Sequence, residues 1–286
     1  AQALAFTPYV AVGALVATAF ALVLRRWGAA AVAAAAAAVL VACVLPRALP
    51  DADPGPRDGV RLRVLTANLL KGGADPDRLL TLVRDGAVDV LAVQEFTPAA
   101  AAALDARDIA GLLPHRRLAA EPGTTGSGLY SRHPITAAGT RRNDGGFAQA
   151  YGTVAVPGAG PVVVESAHPA APYAVSALDD WHTDLAAQPR ADPGGIPRIL
   201  LGDFNSTLDH GLLRSLVDSG YRDAADATGA GLVGTWGPYD GDPIPPVALD
   251  HVLADRRIGV RQVAVHDLPG SDHRPVYAEL VLPPPA

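Results

Sequence analysis

The chain has 286 residues, 49% of them apolar, and a formal net charge of −6. Lys71 is its only lysine, so it lacks the basic surface of a tight nucleic-acid binder. The single cysteine, Cys43, excludes an internal disulfide. No methionine occurs, so we expect that the natural start lies upstream of Ala1.

Two uncharged, mostly apolar runs open the chain, at residues 4–24 and 28–45. Each approaches or reaches the ~20 residues that span a hydrocarbon core. A buried helical hairpin or a signal peptide is also apolar, but a signal peptide has one run of ~7–15 residues after a basic start. We therefore predict two transmembrane helices within residues 1–45. The pair Arg25 and Arg26 places their short loop in the cytoplasm and both outer ends outside it.

Residues 46–59 are rich in proline and aspartate, which predicts a semi-stiff linker. Residues 60–286 change to an α/β pattern and form the predicted catalytic domain. Strands are predicted at 62–67, 88–93, 128–131, 151–156, 162–167, 199–201, 247–253, 260–265 and 276–282. Helices are predicted at 75–85, 97–106, 174–187 and 208–219.

Polar residues recur at the ends of these strands. They are Asn68, Glu95, His168, Asp203, Asn205 and Asp250, and the run Ser271-Asp272-His273-Arg274-Pro275 precedes the last strand. Ligands of open α/β sheets bind at such strand ends. Asp and Asn are also common in turns, but so many groups suited to one chemistry are hard to assign to turns alone.

That chemistry is the cleavage of a phosphate ester, which needs a divalent cation, an activated water and donors for the phosphoryl oxygens. Glu95 is the expected metal ligand because hard cations prefer carboxylate oxygen. Asn68 would hold the water on the metal or the phosphate. His273 is the expected general base, since an ordinary imidazole pKa of ~6.5 lies near working pH. Asp250 would orient His273 as a buried carboxylate partner.

The remaining candidates have less definite roles. Asp203 would position the attacking water or manage the proton of the leaving group. Asn205 and His168 would donate to the phosphate, although His168 could equally be a surface turn residue before Pro169. Arg132 follows a strand, so it is either structural or a phosphate contact.

Six motifs together resemble the motif series of the endonuclease/exonuclease/phosphatase superfamily. They are Thr66-Ala67-Asn68, Val93-Gln94-Glu95, Leu129-Tyr130-Ser131-Arg132-His133-Pro134, Gly202-Asp203-Phe204-Asn205, Leu249-Asp250-His251-Val252 and Ser271-Asp272-His273-Arg274-Pro275. The resemblance runs from about residue 60 to the end. It implies a four-layer α/β sandwich, with two packed mixed β-sheets flanked by helices. It also implies dependence on Mg²⁺, with Mn²⁺ as the alternative, and adds Asp272 to the metal site.

One stretch departs from that series. Many members have an apolar residue after the histidine, whereas this chain has His168-Pro169-Ala170-Ala171-Pro172. The proline-rich run resembles a subset of bacterial membrane-anchored members.

The predicted site suits phosphodiesters and phosphomonoesters alike, because this fold and site recur across different activities. The predicted anchor favours a lipid headgroup, an extracellular nucleic acid or a small phosphate ester as substrate. A non-catalytic, membrane-linked binding module is the alternative from another class. The set of acid, base and metal candidates argues against it.

Overall fold

The computed structural model describes residues 2–237 and 244–285. Two long N-terminal helices precede a domain of strands and shorter helices. The α-helices are Thr7–Val23 (α1), Trp27–Val44 (α2), Pro76–Asp85 (α3), Pro98–Asp105 (α4), Ile109–Leu112 (α5), Leu178–Ala186 (α6), Gly211–Asp218 (α7) and Ala224–Ala227 (α8). Short 3-10 helices span Gln2–Phe6, Leu45–Ala48 and Val175–Ala177.

Twelve strands are present in the described ranges. They are Val60–Asn68 (β1), Val90–Gln94 (β2), His115–Ala119 (β3), Ser127–Ser131 (β4), Ile135–Arg142 (β5), Ala148–Val154 (β6), Val162–Ala167 (β7), Arg198–Asp203 (β8), Tyr221–Asp223 (β9), Asp250–Asp255 (β10), Gly259–Val265 (β11) and Val276–Leu282 (β12).

The strands form two mixed six-stranded sheets, ordered β11-β12-β1-β2-β4-β3 and β5-β6-β7-β8-β10-β9. Side chains alternate across each sheet. Ile199 and Leu201 of β8 therefore lie in the core between the sheets, while Leu200 packs in the core beneath α6 and α7. A third core lies under α3, α4 and α5. The predicted four-layer sandwich is confirmed.

Helix starts follow the local chemistry that the sequence indicated. The Asp75 carboxylate accepts hydrogen bonds from the N–H groups of Asp77 and Arg78 at the start of α3. The Thr97 hydroxyl accepts one from Ala100 at the start of α4. The helix predicted at 174–187 begins later, because residues 175–177 form a 3-10 turn.

The two N-terminal helices pack against each other and are long and apolar enough to cross a membrane. Their buried residues include Ala11, Ala30 and Ala37, whose small side chains permit close helix approach. Large apolar side chains such as Phe20 and Val32 are exposed instead. An apolar core hairpin of a soluble domain would bury these side chains.

The predicted linker at 46–59 does not run free between the helices and the domain. Arg47 is buried, and its guanidinium forms a two-pronged ion pair with Asp209 at 2.8 and 2.9 Å. Further along, the Asp51 N–H donates to the Ala227 carbonyl, and the Val260 N–H donates to the Pro54 carbonyl. The expected spacer is therefore docked on the domain.

We predict that Arg47→Ala lowers the free energy of unfolding by about 3–5 kcal/mol, because it leaves the Asp209 carboxylate buried without its partner. Arg116→Ala is the matched control. It removes the exposed pair with Asp105 and costs below about 1 kcal/mol. Denaturant unfolding of the full chain in detergent micelles measures both. Equal, small losses would mean that residues 46–59 are a free spacer.

Candidate functional site

The polar strand ends meet at one edge of the sandwich. Strands β7 and β8 run parallel, so His168 and Asp203 emerge side by side. Strand β10 is antiparallel to β8, and its first residue, Asp250, pairs with Asp203. Gly202 permits the close approach of β7, because a Cβ at this position would lie 2.0 Å from the Ala167 carbonyl oxygen.

Asp203 lies at the centre of the cluster and is only 2% exposed. Its Oδ2 atom accepts a hydrogen bond from Asn68 Nδ2 at 3.1 Å. The same oxygen lies 3.5 Å from Nε2 of His273 and 3.7 Å from Nε2 of His168. One carboxylate oxygen thus connects residues from both sheets.

His273 is held by a second carboxylate on the far side of its ring. Its Nδ1 atom lies 2.9 Å from Asp250 Oδ2. The Asp250 backbone N–H donates to Thr235 Oγ1, and the His273 N–H donates to Ser271 Oγ. These contacts fix the ring so that Nε2 points toward Asp203, which is the arrangement expected of an oriented base.

Glu95 lies on the other side of Asn68. Its carboxylate accepts from Asn68 Nδ2 at 3.3 Å and from the Lys71 N–H at 2.7 Å. Both Glu95 and Asn205 adopt left-handed backbone conformations, with φ of 51° and 48°. This conformation is costly for glutamate and much less so for asparagine, and it occurs often where a site requires a fixed geometry.

Burial and neighbouring charges shift the ionisation of the cluster. Burial first, and then the Asp250 charge, raises the pKa of Asp203, against the opposing effect of His273. Burial alone would lower the pKa of His273, but the Asp250 and Asp203 carboxylates outweigh it and raise that pKa to about 10. Burial lowers the pKa of His168 to about 4. The upward shift for His273 is the direction expected for an imidazole beside a carboxylate, which favours the charged ring.

The donor set fits a hard divalent cation. Oxygens of Asp203 and Asp250 and a ring nitrogen of His273 lie within 4.8 Å of one another. Asp250 and His273 already satisfy each other, whereas Glu95 and Asp203 both face a single amide nitrogen of Asn68. Two carboxylates that share one weak donor favour a cation between them.

Asp272 lies beside this cluster rather than in it. Its Oδ2 atom accepts from Trp236 Nε1 at 3.0 Å. Its Oδ1 atom is buried and has no hydrogen-bond partner among residues 2–237 and 244–285. Such an orphaned oxygen needs a water or a cation as a partner.

The two expected phosphate donors, Asn205 and His168, lie at the cluster, and Asn205 already donates hydrogen bonds within the protein. Asn205 Nδ2 donates to the Pro169 carbonyl at 3.0 Å, and its backbone N–H donates to Asp203 Oδ1 at 2.8 Å. His168 is 2% exposed and contacts the ring of Phe147 edge-on, so the alternative of a surface turn residue is excluded. Its backbone N–H donates to Gln149 Oε1, which fixes the start of the following loop.

Arg132 does not join the cluster. Its guanidinium binds Asp89 Oδ1 and the Val88 carbonyl. Ser131 pairs with Val90 at the beginning of β2, whereas Glu95 follows the end of that strand. Arg132 therefore lies at the opposite edge of the sheet, and its contacts there favour the structural alternative over the contact with phosphate.

Three residues that had no predicted role hold His273, Asp250 and Asp272 in position. Ser271 Oγ also donates to the Asn68 carbonyl at 2.8 Å, which connects the last motif to β1. Thr235 and Trp236 hold Asp250 and Asp272 from a segment without a strand or helix pattern. A serine two residues before a histidine is a local turn signal that could have identified Ser271.

The fold and the clustered residues are those of a class of metal-dependent phosphoesterases. Residues 65–273 match the sequence model of the Endonuclease/Exonuclease/phosphatase family, and the chain belongs to this family. Its members are in general phosphate-ester hydrolases that depend on divalent metals. Among curated proteins, none matches the chain.

Solved structures with the same fold cover most of the chain. An endonuclease/exonuclease/phosphatase from Beutenbergia cavernae has a TM-score of 0.62 at 21% identity, over 78% of this chain and 72% of that one. Humanised TDP2 of D. rerio has a TM-score of 0.62 at 14% identity, over 77% and 98%. Sphingomyelinase C from Streptomyces griseocarneus has a TM-score of 0.56 at 18% identity, over 77% and 99%. At such identities the likeness concerns the fold.

We predict that the His273 ring of the metal-free protein titrates near pH 10 and is charged at pH 7. Because its folded pKa is raised, its contribution to stability is complete below the unfolded value of ~6.5 and is lost as pH rises through about 10. Asp250→Asn lowers this pKa by removing a carboxylate. Ring resonances in an NMR titration measure both proteins. A His273 pKa at or below 6.5 in the parent would contradict the assignment.

Proposed function

We propose that this chain is a membrane-anchored, Mg²⁺-dependent hydrolase of phosphate esters. The observation that carries the proposal is the position of Asp203. Its Oδ2 atom joins the Glu95 and Asn68 side of the cluster to the two histidines on the other side. A metal side and a proton-transfer side that share one carboxylate suit the hydrolysis of a phosphate ester.

Glu95 would hold the cation, with Asn68 beside it. Asp272 would add an oxygen from its unpartnered side. Mg²⁺ is the preferred ion for an oxygen-rich set of this kind, and Mn²⁺ is the alternative. The bound ion would supply positive charge to the phosphate as negative charge develops.

The proton chemistry belongs to Asp203 and His273. Both pKa values are raised and the two groups lie 3.5 Å apart, so one proton can reside on Asp203 Oδ2 or on His273 Nε2. With the proton on Asp203, neutral His273 takes a proton from the attacking water. As the bond from phosphorus to the leaving oxygen breaks, that oxygen takes the proton of Asp203. His168, neutral above about pH 4, and Asn205 orient the phosphate.

The membrane assignment rests on the apolar surface of α1 and α2. Large apolar side chains are exposed along both helices, which is typical of a surface that contacts a membrane. Arg25 and Arg26 in the turn between the helices favour a cytoplasmic turn. The domain then lies on the outer face of the cell membrane. A lipid headgroup, an extracellular nucleic acid and a small ester are all accessible there.

We predict that the full chain in micelles hydrolyses bis(p-nitrophenyl) phosphate with Mg²⁺ and that EDTA abolishes this activity. His273→Ala lowers the rate by roughly 10²–10⁴-fold, the usual contribution of an acid or base. Glu95→Gln loses most of the affinity for Mg²⁺, measured from the metal dependence of the rate.

Glu279→Gln is the matched control, since Glu279 pairs with Arg63 within the same sheet, away from the cluster. It leaves the rate and the metal dependence unchanged. Absence of ester hydrolysis with either metal would favour the alternative of a binding module. A Glu95→Gln variant that titrates with Mg²⁺ like the parent would exclude Glu95 as a ligand.

A further inference from the structure

Three loops at the catalytic edge contact the outer end of the helical hairpin, α1 and α2 with their terminal 3-10 turns. Each contact is a hydrogen bond or an ion pair between distant parts of the chain. They join Gln2 Nε2 to the Pro172 carbonyl at 2.7 Å, the Tyr9 hydroxyl to the Pro246 carbonyl at 2.6 Å, and Arg47 to Asp209 at 2.8 Å.

Every one of these loops also carries a residue of the catalytic cluster. The contacting residue lies four positions from the cluster residue in each loop: Pro172 from His168, Asp209 from Asn205, and Pro246 from Asp250. The edge that holds the cluster is therefore the edge that rests on the hairpin. Arg132 and Asp89 lie at the opposite edge of the sheet.

The loop after His168 has the character of a segment that enters a membrane interface. Residues 169–176 contain no charged side chain. Tyr173 and Val175 are 78% and 86% exposed, the highest values among large apolar side chains of the described domain. Pro169 and Pro172 lack an N–H, so the loop presents fewer unpaired donors to an apolar medium. Tyrosine is typical of the boundary between water and lipid.

More exposed apolar residues lie around the base of the hairpin. Leu49 follows the hairpin directly, and the N–H of Gly231, next to exposed Leu232, donates to the Arg47 carbonyl. Exposed Ile244 lies two positions from Pro246, the partner of Tyr9. Exposed apolar residues of the domain thus lie beside the base of the two helices. The bilayer that surrounds the helices is the occupant that fits both surfaces.

We propose that the catalytic edge faces the bilayer, that Tyr173 and Val175 enter its interface, and that the phosphate cleaved belongs to a lipid of that membrane. The proposal rests on the proposed function, since it needs a membrane-spanning hairpin and an ester-cleaving site. A substrate at the lipid surface reaches the cluster between the loops at 169–176 and 244–249. A flexible tether would not hold the catalytic edge toward the bilayer in this way.

Depth-dependent quenching tests the orientation. In a Cys43→Ser background, single cysteines replace Tyr173, Ile196 or Val16, and each carries an environment-sensitive fluorophore. The full chain is reconstituted into phosphatidylcholine nanodiscs with spin-labelled lipid. Ile196 is the matched control, because it is 48% exposed and precedes β8 at the edge away from the cluster. Val16 lies in the middle of α1 and reports insertion of the hairpin.

We expect a spin label near the headgroup to lower emission at position 173 by roughly twofold or more, since interfacial residues lie ~5–10 Å into the boundary. Emission at position 196 stays unchanged, and a mid-chain spin label quenches position 16. Quenching at 16 without quenching at 173 would overturn this inference alone. No quenching at 16 would overturn the membrane anchor of the proposed function, and this inference with it.

Turnover tests the source of the phosphate. Tyr173→Ser combined with Val175→Ser should slow hydrolysis of sphingomyelin or phosphatidylglycerol in nanodiscs by roughly tenfold, the loss that a modest weakening of interfacial binding produces. Hydrolysis of bis(p-nitrophenyl) phosphate should stay within about twofold of the parent, and Ile196→Ser should change neither rate. Equal losses on lipid and soluble ester, or preferred cleavage of single-stranded DNA, would contradict a lipid source.

Discussion

The arrangement of the site depends on the burial of the Asp203 carboxylate. Removing a carboxylate from water is costly unless other groups replace the lost hydration. Here Asn68 donates to Oδ2, the Asn205 N–H donates to Oδ1, and a charged His273 lies 3.5 Å away. Each of these partners comes from a different segment of the chain. The need to compensate one buried charge therefore holds both sheets in register at this edge.

The same constraint explains why the site differs in character on its two sides. Asp250 on the far side of His273 raises the pKa of the ring, while His168, without such a partner, stays neutral by burial. Of the two imidazoles near the Asp203 carboxylate, His273 is thus charged and His168 is neutral at neutral pH. Glu95 and Asn68 form the other side, where the backbone of Glu95 adopts a left-handed conformation. One side suits proton transfer, and the other suits a cation.

Local sequence patterns predicted every interior strand of the two sheets but only one of their four edge strands, β11. The missed strands β3, β5 and β9 are all edge strands, and β3 carries Arg116 and Arg117 in place of an apolar run. Edge strands carry charges for protection against unwanted pairing, which removes the pattern that identifies a strand. Strand-end motifs predicted most of the cluster because the carboxyl ends of parallel strands converge. The role of Arg132 stayed open in the sequence, because a motif at a strand end does not reveal which edge of the sheet it occupies.

Two other features depend on partners far away in the chain. From the sequence, Arg47 is part of a predicted linker. In the structure it binds Asp209, which lies 162 positions later in the chain. The raised pKa of His273 arises because the Asp250 and Asp203 carboxylates, on strands β10 and β8, outweigh the opposing effect of burial. Neither follows from spacing, because both are products of tertiary packing.

Asp203 divides the cluster into a cation side and a proton-transfer side, and the location of a bound metal tests this division most directly. Crystals of the protein soaked with Mn²⁺ would give an anomalous difference peak at the ion. The account predicts a peak in coordination distance of the Glu95 carboxylate, with the contact between Asp250 and His273 intact. A peak coordinated by Asp250 and His273, with Glu95 outside the ligand set, would contradict it.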